Sequence, residues 1–458
     1  MHDLLVAAGD DAVPIWFATK DNAADILAGL PALQRDWIAA NAYQPAAGRH
    51  LLLPEADGRL AGVVFGLEEG GRHRDAFLPG KLSTLLPAGT YRFANASHDD
   101  RLAVLSWLLG AYRFDRYRAA ETPAARLVVP EGVDGEDLSR IADAVAFGRG
   151  LIATPANDLG PAELEEAARG LAAEHGADFA VIVGDELLAQ NFPMIHAVGR
   201  ASSRAPRLID FSWGDPAHPK VTLVGKGVVF DTGGLDIKPS AGMLLMKKDM
   251  GGAASVLACA GMVMAAGLRI RLRVLIPAVE NAISGSAFRP GDILATRKGI
   301  TVEIGNTDAE GRLVLGDALA LADEEAPDLI VDMATLTGAA RVALGPDLPP
   351  LFTRDDIVAN ALQNHGLGEH DPLWRLPLWP PYDGMLESKI ADVNNVSSGG
   401  FAGAITAALF LNRFVEKAKS YVHLDMLCWN PSTKPGRPEG AEVMGARALY
   451  AYLKARYA

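Results

Sequence analysis

The segment GNTDAEGRLVL, residues 305–315, brings several chemically useful side chains together. Asp308, Glu310 and Arg312 occupy every second position, and the chain then becomes apolar. Two carboxylates beside a glycine at the start of an apolar helix can bind a cation, or they can cap the helix. The segment therefore indicates either a metal site or ordinary helix capping.

Two other segments place similar side chains near the ends of predicted strands. KGVVFDTGGLDIKPS contains Lys226, Asp231 and Lys238, and MLLMKKDMGGAAS contains Asp249 just ahead of an apolar helix. Taken singly, Asp249 could be a helix N-cap and the lysines could be solvated loop residues. Taken together, acidic loops at one edge of a sheet repel one another unless a positive charge lies among them.

A pair of divalent cations is the counter-charge that these segments predict. Carboxylates are suitable ligands for such ions, and one carboxylate can bridge two of them in a hydrolytic site. The four negative charges that match two ions belong to Asp231, Asp249, Asp308 and Glu310. The ten histidines include no HExxH pair, which excludes a thermolysin-type zinc site.

The elements that must position these segments alternate between strand and helix from about residue 160 onward. Apolar runs typical of strands include FAVIVG, RLIDFSW, KVTLVGKGVVF, RIRLRVLIPAV, GITVEIG, DLIVDMATL and YVHLDML. This alternation of strands and helices predicts a mostly parallel sheet with helices on both faces. In such a sheet the functional site lies at the carboxyl ends of the strands. We expect an α/β fold with a small N-terminal α/β domain and a larger catalytic domain of this kind.

A change of pattern near Asp134 predicts the domain boundaries. Residues 1–133 alternate short apolar runs with helical stretches and form the predicted N-terminal domain. A long helical pattern follows a turn that contains Pro and Gly, so residues 134–160 are the predicted connecting helix and linker. Residues 161–458 form the predicted catalytic domain.

Composition narrows the functional class. With 56 acidic residues against 43 Lys plus Arg, the net charge of -13 gives no general attraction to nucleic acid or anionic lipid. Cys259 and Cys428 are too few for a zinc site of cysteines, and they are expected to be buried, reduced thiols. No signal peptide is visible, and the uncharged run from Met250 to Leu268 reads as a buried helix rather than a membrane span. These features favour a cytoplasmic protein.

The octapeptide NTDAEGRL, residues 306–313, gives the chain a family resemblance. The chain resembles the leucyl aminopeptidases, which are dinuclear metallopeptidases. The match continues through TPANDLGP, FPMIHAVGRAS, VGKGVVFDTGGLDIKPS, MKKDMGGAAS, DMATLTGA and GAITAALFL, over most of residues 150–425. The resemblance implies a cytoplasmic homo-hexamer that removes the N-terminal residue from peptides with a free N-terminus.

The resemblance also implies two ions, Zn²⁺ or Mn²⁺, and their ligands. One ion is held by Lys226, Asp231, Asp249 and Glu310. The other is held by Asp231, Asp308 and Glu310, with Asp308 also using its main-chain carbonyl. Lys226 must bind as a neutral amine, because an ammonium group has no lone pair to donate. Gly311 is expected to leave room for close packing around the pair.

The implied mechanism places the substrate amine and the scissile carbonyl on the ions, where a metal-bridging water attacks. Lys238 is expected to stabilise the oxyanion. Arg312 is expected to hold a bicarbonate ion, which acts as the base in this family.

The substrate pocket implied by the resemblance contains Met246, Thr335, Gly338 and the main chain at Leu336. A methionine-lined pocket favours flexible apolar side chains such as Leu or Met, although Met246 could also be ordinary core packing. After HLDM the sequence departs from the family, because Leu427, Cys428 and Trp429 stand where small residues are expected. The pocket should therefore be narrower or reshaped, and small residues or particular dipeptides could be better substrates.

Three other functional classes have less support in the sequence. A catalytically silent binding or regulatory protein with the same fold is the main alternative, but it would not need Lys238 and Arg312. A dinucleotide-binding loop is excluded because Phe230 stands at the third glycine position of GxGxxG. A serine hydrolase lacks support because no GxSxG motif is present.

Overall fold

The structure is a computed structural model that describes residues 1–7, 11–69, 74–120 and 124–458. It contains two compact units. The smaller unit comprises Met1–Ala146 and Ser432–Glu439, and the larger comprises Phe147–Pro431 and Gly440–Ala458. Strands and helices are numbered in chain order.

In the described part of the smaller unit, six strands form one sheet beside short helices. The strands are β1 Leu5–Val6, β2 Val13–Ala18, β3 His50–Pro54, β4 Leu60–Gly66, β5 Gly89–Phe93 and β6 Ala125–Val128. The α-helices are α1 Ala23–Gly29, α2 Ala32–Ala40, α3 Leu82–Leu85 and α4 Asp100–Ala111, and Leu78–Lys81 is a 3-10 helix. The sheet order is β1-β6-β5-β2-β4-β3, in which β3 runs antiparallel to β4 and the other pairs are parallel. The predicted N-terminal α/β fold is confirmed.

The larger unit has its own strands and helices. The strands are β7 Asp178–Val183, β8 Arg207–Trp213, β9 Lys220–Gly225, β10 Gly227–Asp231, β11 Arg271–Asn281, β12 Ile293–Ala295, β13 Thr301–Glu303, β14 Leu329–Ala334, β15 Pro350–Phe352, β16 Trp374–Arg375, β17 Val393–Asn394, β18 Tyr421–Asp425, β19 Trp429–Asn430 and β20 Gly440–Ala441. The α-helices are α5 Gly135–Ala153, which begins in the smaller unit, α6 Pro161–Glu174, α7 Glu186–Ala189, α8 Pro193–Gly199, α9 Ser240–Met243, α10 Gly251–Ala265, α11 Gly311–Glu324, α12 Gly338–Leu344, α13 Asp356–Gly368, α14 Gly403–Asn412 and α15 Ala446–Tyr457. The 3-10 helices are Met246–Met250 and Pro380–Leu386.

The main sheet of the larger unit is parallel at its centre. Its nine strands run in the order β16-β15-β18-β14-β9-β11-β8-β7, and β10 pairs with β11 beyond the end of β9. The neighbours β18, β14, β9 and β11 are parallel, whereas β15, β8 and β7 add antiparallel pairs toward the edges. Helices cover both faces, with α8, α11 and α14 sharing one core and α10 packing with α15. The predicted catalytic fold is confirmed.

Helix α10 explains the long uncharged run in the sequence. Its residues from Gly251 to Met264 are all buried, which is why it is apolar on every side. Gly252 allows close approach to the sheet, because a Cβ there would lie 2.0 Å from the carbonyl oxygen of Met333. No helix in the described part of the chain has the length and hydropathy needed to cross a bilayer.

Local structure differs from prediction in three places. KVTLVGKGVVF forms two strands, β9 and β10, separated by Lys226. GITVEIG contributes β13 to a separate small sheet of order β12-β13-β17 instead of the main sheet. Asp249 follows no strand, since it lies in the 3-10 helix Met246–Met250.

Candidate active site

The predicted site residues converge on one cavity of the larger unit. The cavity has a volume of about 560 Å³ and lies where β9, β10, β14 and β18 end. The predicted residues that line it are Lys226, Asp231, Lys238, Met246, Asp249, Asp308, Arg312, Thr335, Leu336 and Gly338. Glu310 lies behind this wall, fully buried, in contact with Lys226.

Asp231 ends β10 and directs its buried carboxylate toward the cavity. Its Oδ1 accepts hydrogen bonds from the backbone N–H of Gly233 and from Nδ2 of Asn281, both at 2.8 Å. Its Oδ2 lies 2.8 Å from Nζ of Lys238, and the same ammonium group contacts Asp308. Lys238 therefore bridges two of the predicted metal ligands.

Lys226 occupies the break between β9 and β10, where it meets two other predicted ligands. Its Nζ lies 2.6 Å from Oδ2 of Asp249 and 3.0 Å from Oε1 of Glu310. It also donates a hydrogen bond to the carbonyl oxygen of Thr335 at 3.2 Å. A Cβ on Gly311 would lie 2.4 Å from Cε of Lys226, so the first residue of α11 has to be glycine for this arrangement.

Neither Asp249 nor Asp308 caps a helix. The N-cap of α10 is Met250 and that of α11 is Glu310, and neither cap side chain makes a capping hydrogen bond. The Oδ1 of Asp249 instead accepts a hydrogen bond from the hydroxyl of Thr335 at 2.8 Å. The capping interpretation is therefore wrong for both aspartates.

Asn395, which is fully buried, organises the loop that carries Asp308. Its Oδ1 accepts a hydrogen bond from the N–H of Gly305 and its Nδ2 donates to the carbonyl of Asn306, both at 2.8 Å. Oδ1 of Asn306 in turn accepts from the N–H of Asp308 at 2.7 Å. The carbonyl of Asn395 also accepts from Nη1 of Arg312 at 2.6 Å. One residue thus positions both the acidic loop and the arginine.

Three carboxylates lie close enough together to share a cation. Oxygen atoms of Asp231, Asp308 and Glu310 lie within 4.8 Å of one another. Burial and the charge of Asp231 raise the pKa of Glu310 to about 8 and that of Asp308 to about 6. Oε2 of Glu310 is buried and has no hydrogen-bond partner among the described residues. A divalent cation fits this set, because it would relieve the repulsion and occupy the unused oxygen.

The two lysines carry the positive charge at this cluster. Burial disfavours the ammonium form of Lys226, but the carboxylates of Asp249 and Glu310 outweigh burial and raise its pKa. The pKa of Lys238 is raised in the same way, because Asp231 and Asp308 outweigh its burial. Lys226 is thus an ion-pair partner here, and it must release a proton before it can bind a metal.

Arg312 contributes a buried guanidinium to the cavity wall from the first turn of α11. Burial lowers its pKa to about 10, so it stays charged at neutral pH. Its Nη1 is bound to Asn395, but its Nε is buried without a hydrogen-bond partner in the described ranges. Unused, charged donors of this kind suit a small oxyanion.

The predicted substrate residues lie along the same cavity, and two of them already have polar partners. The hydroxyl of Thr335 donates to Asp249, so this residue positions a carboxylate. The N–H of Leu336 donates to Oδ1 of Asp425 at 2.9 Å. Met246 and Gly338 face the cavity, which excludes simple core packing for Met246.

Of the three residues that depart from the family, Leu427 alone lines the cavity. Cys428 is buried against Gly251, where a Cβ would lie 2.5 Å from the Cβ of Cys428. The ring of Trp429 lies 5.7 Å from Nζ of Lys247. Both cysteines of the chain are free and buried, as predicted. Any reshaping of the pocket by direct contact therefore comes from Leu427.

Sequence reasoning missed several polar residues of the site. Asn281 ends β11 and Asp425 ends β18, and a polar residue that closes an apolar strand is the signal that could have identified both. Asn395 carries no such signal, because its role depends on contacts with a distant loop. Lys248 lines the cavity beside Asp249, but nothing in the sequence distinguishes it from Lys247.

Comparison with known proteins identifies the family. The model of the cytosol aminopeptidase family, catalytic domain, matches residues 146–450, and that of the M17 aminopeptidase N-terminal domain matches residues 13–130. The chain belongs to the M17 cytosol aminopeptidase family. Its predicted class, a metallo-aminopeptidase, is confirmed.

Individual relatives agree with this family membership. The probable cytosol aminopeptidase of Roseiflexus castenholzii is 43% identical over 365 residues, which cover 76% of this chain and 74% of that protein. The crystal structure of the Coxiella burnetii cytosol aminopeptidase matches with a TM-score of 0.95 and 46% identity, covering 100% of both chains. The bottromycin maturation enzyme BotP in complex with Mn matches with a TM-score of 0.87 and 33% identity, covering 98% of this chain and 100% of that one.

Proposed function

We propose that this M17 aminopeptidase hydrolyses the first peptide bond of peptides with a free N-terminus, using two divalent ions held by its carboxylate cluster. One observation carries the proposal. Asp231, Asp308 and Glu310 crowd together in the buried wall of a cavity, and Oε2 of Glu310 has no hydrogen-bond partner in the described part of the chain. With Asp249 beside them, the four negative charges match two divalent ions once Lys226 is neutral.

The two ions would share ligands. Lys226, Asp231, Asp249 and Glu310 would hold one, and Asp231, Asp308 and Glu310 would hold the other. This division is supported by the position of Lys226, whose Nζ lies between Asp249 and Glu310 at 2.6 and 3.0 Å. Zn²⁺ and Mn²⁺ both suit such a mixed nitrogen and oxygen site, and the BotP relative was solved with Mn.

When bound, such ions polarise the scissile carbonyl and lower the pKa of a water that attacks it. Lys238 reaches the same cavity and contacts two of the proposed ligands, so its ammonium group can donate to the oxyanion that develops. Arg312 would hold bicarbonate through its unused donors, which supplies a base for the proton of the attacking water.

The biological setting is proposed on the family relationship. A cytoplasmic location is supported by relatives named cytosol aminopeptidases. Assembly as a homo-hexamer and an interior cavity that admits peptides are inferred from the family resemblance. The division into residues 1–133, a connecting segment 134–160 and residues 161–458 also remains a proposal, supported by the helix Gly135–Ala153 within the connecting segment.

A catalytically silent binding protein is the alternative. Such a protein could retain the acidic residues for metal binding, but it would gain nothing from Lys238 and Arg312, which both line the cavity. No observation favours this alternative.

Equilibrium dialysis of chelator-treated protein against Mn²⁺ tests the proposal directly. Wild-type protein should bind two ions per chain, and Asp249→Asn, which alters a ligand of one site only, should bind one. Asp425→Asn is the matched control, because Asp425 lies in the same wall outside the proposed ligand set. A single ion in the wild type, or two ions in Asp249→Asn, would contradict the proposal.

A further inference from the structure

Lys248 is a buried cation that the proposed chemistry does not use. Its side chain lines the cavity and only 6% of the residue is exposed. Its ammonium group forms neither an ion pair nor a hydrogen bond with any residue in the ranges that the structure describes. A buried charge without a partner is costly, so its position in a substrate cavity calls for a ligand.

Arg341 brings a second cation to the same part of the cavity. It lies in α12, and its Nη2 would be 3.9 Å from a Cβ on Gly338. Within the described ranges, Arg341 also has no ion-pair partner. Burial lowers the pKa of Lys248, the charge of Asp249 opposes this shift, and the weaker effects of Lys226 and Arg341 add to it. Lys248 and Arg341 are called the cationic corner below.

The charge of Asp249 attracts Lys248, but no carboxylate of the cavity wall forms an ion pair or a hydrogen bond with the cationic corner in the described residues. Asp249 faces Lys226 with one oxygen and the hydroxyl of Thr335 with the other. Asp425 accepts hydrogen bonds from the main chain of Leu336 and from the main chain and hydroxyl of Thr337.

The cationic corner lies in the proposed pocket for the N-terminal side chain. Lys248 follows Met246 by two residues in one 3-10 helix, and both residues line the cavity together with Leu427. Arg341 lines the same cavity close to Gly338, another residue of the proposed pocket. A ligand that contacts both cations would therefore project from the first residue of the substrate.

We propose that Lys248 and Arg341 bind the side-chain carboxylate of an acidic N-terminal residue, so that the enzyme prefers peptides beginning with Glu or Asp. This inference rests on the proposed function and names its substrate class. The incoming carboxylate would supply the missing counter-charge without breaking an ion pair in the described residues, and a cationic first residue would be repelled. The C-terminal carboxylate of a short peptide has the same chemistry and is the competing source.

The test uses full-length protein loaded with Mn²⁺ and the p-nitroanilides of Glu, Gln, Leu and Lys, which carry no C-terminal carboxylate. Glu and Gln have nearly the same shape, so their ratio of kcat/KM isolates the charge. We expect wild-type protein to favour Glu over Gln by about tenfold or more, the effect of one charge-assisted hydrogen bond. Lys248→Met and Arg341→Gln should each move this ratio toward one.

Lys247→Met is the matched control, since Lys247 belongs to the same 3-10 helix but does not line the cavity, and the ratio should stay as in the wild type. Arg341 is exposed, so Arg341→Gln remains informative where Lys248→Met destabilises the buried site.

Four outcomes would overturn the inference. Equal hydrolysis of the Glu and Gln anilides, or an unchanged Glu-to-Gln ratio in both variants, would show that the cationic corner does not bind the side-chain carboxylate. Hydrolysis of the Leu anilide would in either case still support the proposed function. A preference for Leu-Gly over Leu-Gly amide that Lys248→Met abolishes would assign the cations to a C-terminal carboxylate. Failure to hydrolyse any anilide would contradict the inference and the proposed function together.

Discussion

A Cβ atom on Gly311 would lie 2.4 Å from Cε of Lys226. Carbon atoms in contact are separated by about 3.5–4.0 Å, so no other residue type fits without displacing the lysine. Gly311 begins α11 directly after Glu310, whose Oε1 lies 3.0 Å from Nζ of Lys226. The missing side chain is what allows the helix to bring its carboxylate to the lysine.

Gly311→Ala should therefore weaken metal binding. The added methyl group pushes Lys226 from Asp249 and Glu310, and we expect Mn²⁺ affinity to fall on the order of 10–100-fold, as for other changes that disturb ligand orientation. Overpacking should also lower the free energy of unfolding by about 1–3 kcal/mol. Calorimetric titration and thermal denaturation measure the two effects.

Gly170→Ala is the control for this substitution. Gly170 lies in α6, and a Cβ there meets nothing within 4 Å. The variant should bind Mn²⁺ normally and gain about 0.5–1 kcal/mol of stability from helix propensity. Normal affinity in Gly311→Ala would show that close packing on Lys226 does not matter for the metal site.

Lys238→Met should separate catalysis from metal binding. Lys238 is proposed to donate to the oxyanion, so kcat should fall by about 10²–10³ when that donor is removed. Two ions should remain bound, because the substitution removes a cation that competes for Asp231 and Asp308. Metal analysis and steady-state kinetics on one preparation measure both quantities. Loss of both ions would show that the lysine holds the ligands together instead.

Affinity for Mn²⁺ should rise between pH 6 and pH 8. Burial and the charge of Asp231 raise the pKa of Asp308 to about 6 and that of Glu310 to about 8, so both carboxyl groups of the metal-free protein lose protons across this range. Only the deprotonated groups bind a cation, so rising pH removes the competing carboxyl protons, and metal binding releases those that remain together with the proton that Lys226 must give up throughout this range. Titration calorimetry in buffers of different ionisation enthalpy measures the number of protons released per metal ion bound. Constant affinity with no proton release would contradict these assignments.

Bicarbonate should stimulate the wild-type enzyme through Arg312. In buffer freed of carbon dioxide, added bicarbonate should increase kcat, since a positioned base contributes about 10²–10⁴-fold. Arg312→Met should be slow and should not respond. Equal stimulation of both proteins would mean that bicarbonate acts at another place.

The sequence predicted the fold well because its signals are long and continuous. The continuous apolar run VLIPAV, residues 274–279, is typical of a strand in a sheet that is covered by helices on both faces, and it became the buried centre of β11. The short run GITVEIG was assigned to the wrong sheet. Its strand β13 is only three residues long, and the sequence of so short a strand does not show whether it belongs to the main sheet or to the small one.

The acidic part of the site was also predictable, whereas its finer environment was not. Asp308 and Glu310 stand in a distinctive octapeptide, but neighbouring lysines cannot be told apart by type. Lys247 donates a hydrogen bond to the carbonyl of Ala153 at 2.6 Å, while Lys248 turns into the cavity. Both lysines lie in the 3-10 helix Met246–Met250, where adjacent side chains point in different directions, and the local sequence does not predict which of them faces the cavity.

The most direct test of the central claim is metal-restored hydrolysis by the full-length protein. Protein stripped with chelator is resupplied with Mn²⁺ or Zn²⁺ and assayed on aminoacyl amides with free and N-acetylated amines. The proposed function predicts no cleavage by the stripped protein and restored cleavage of the free-amine substrates only. Cleavage that survives metal removal, or equal cleavage of the N-acetylated substrates, would contradict it.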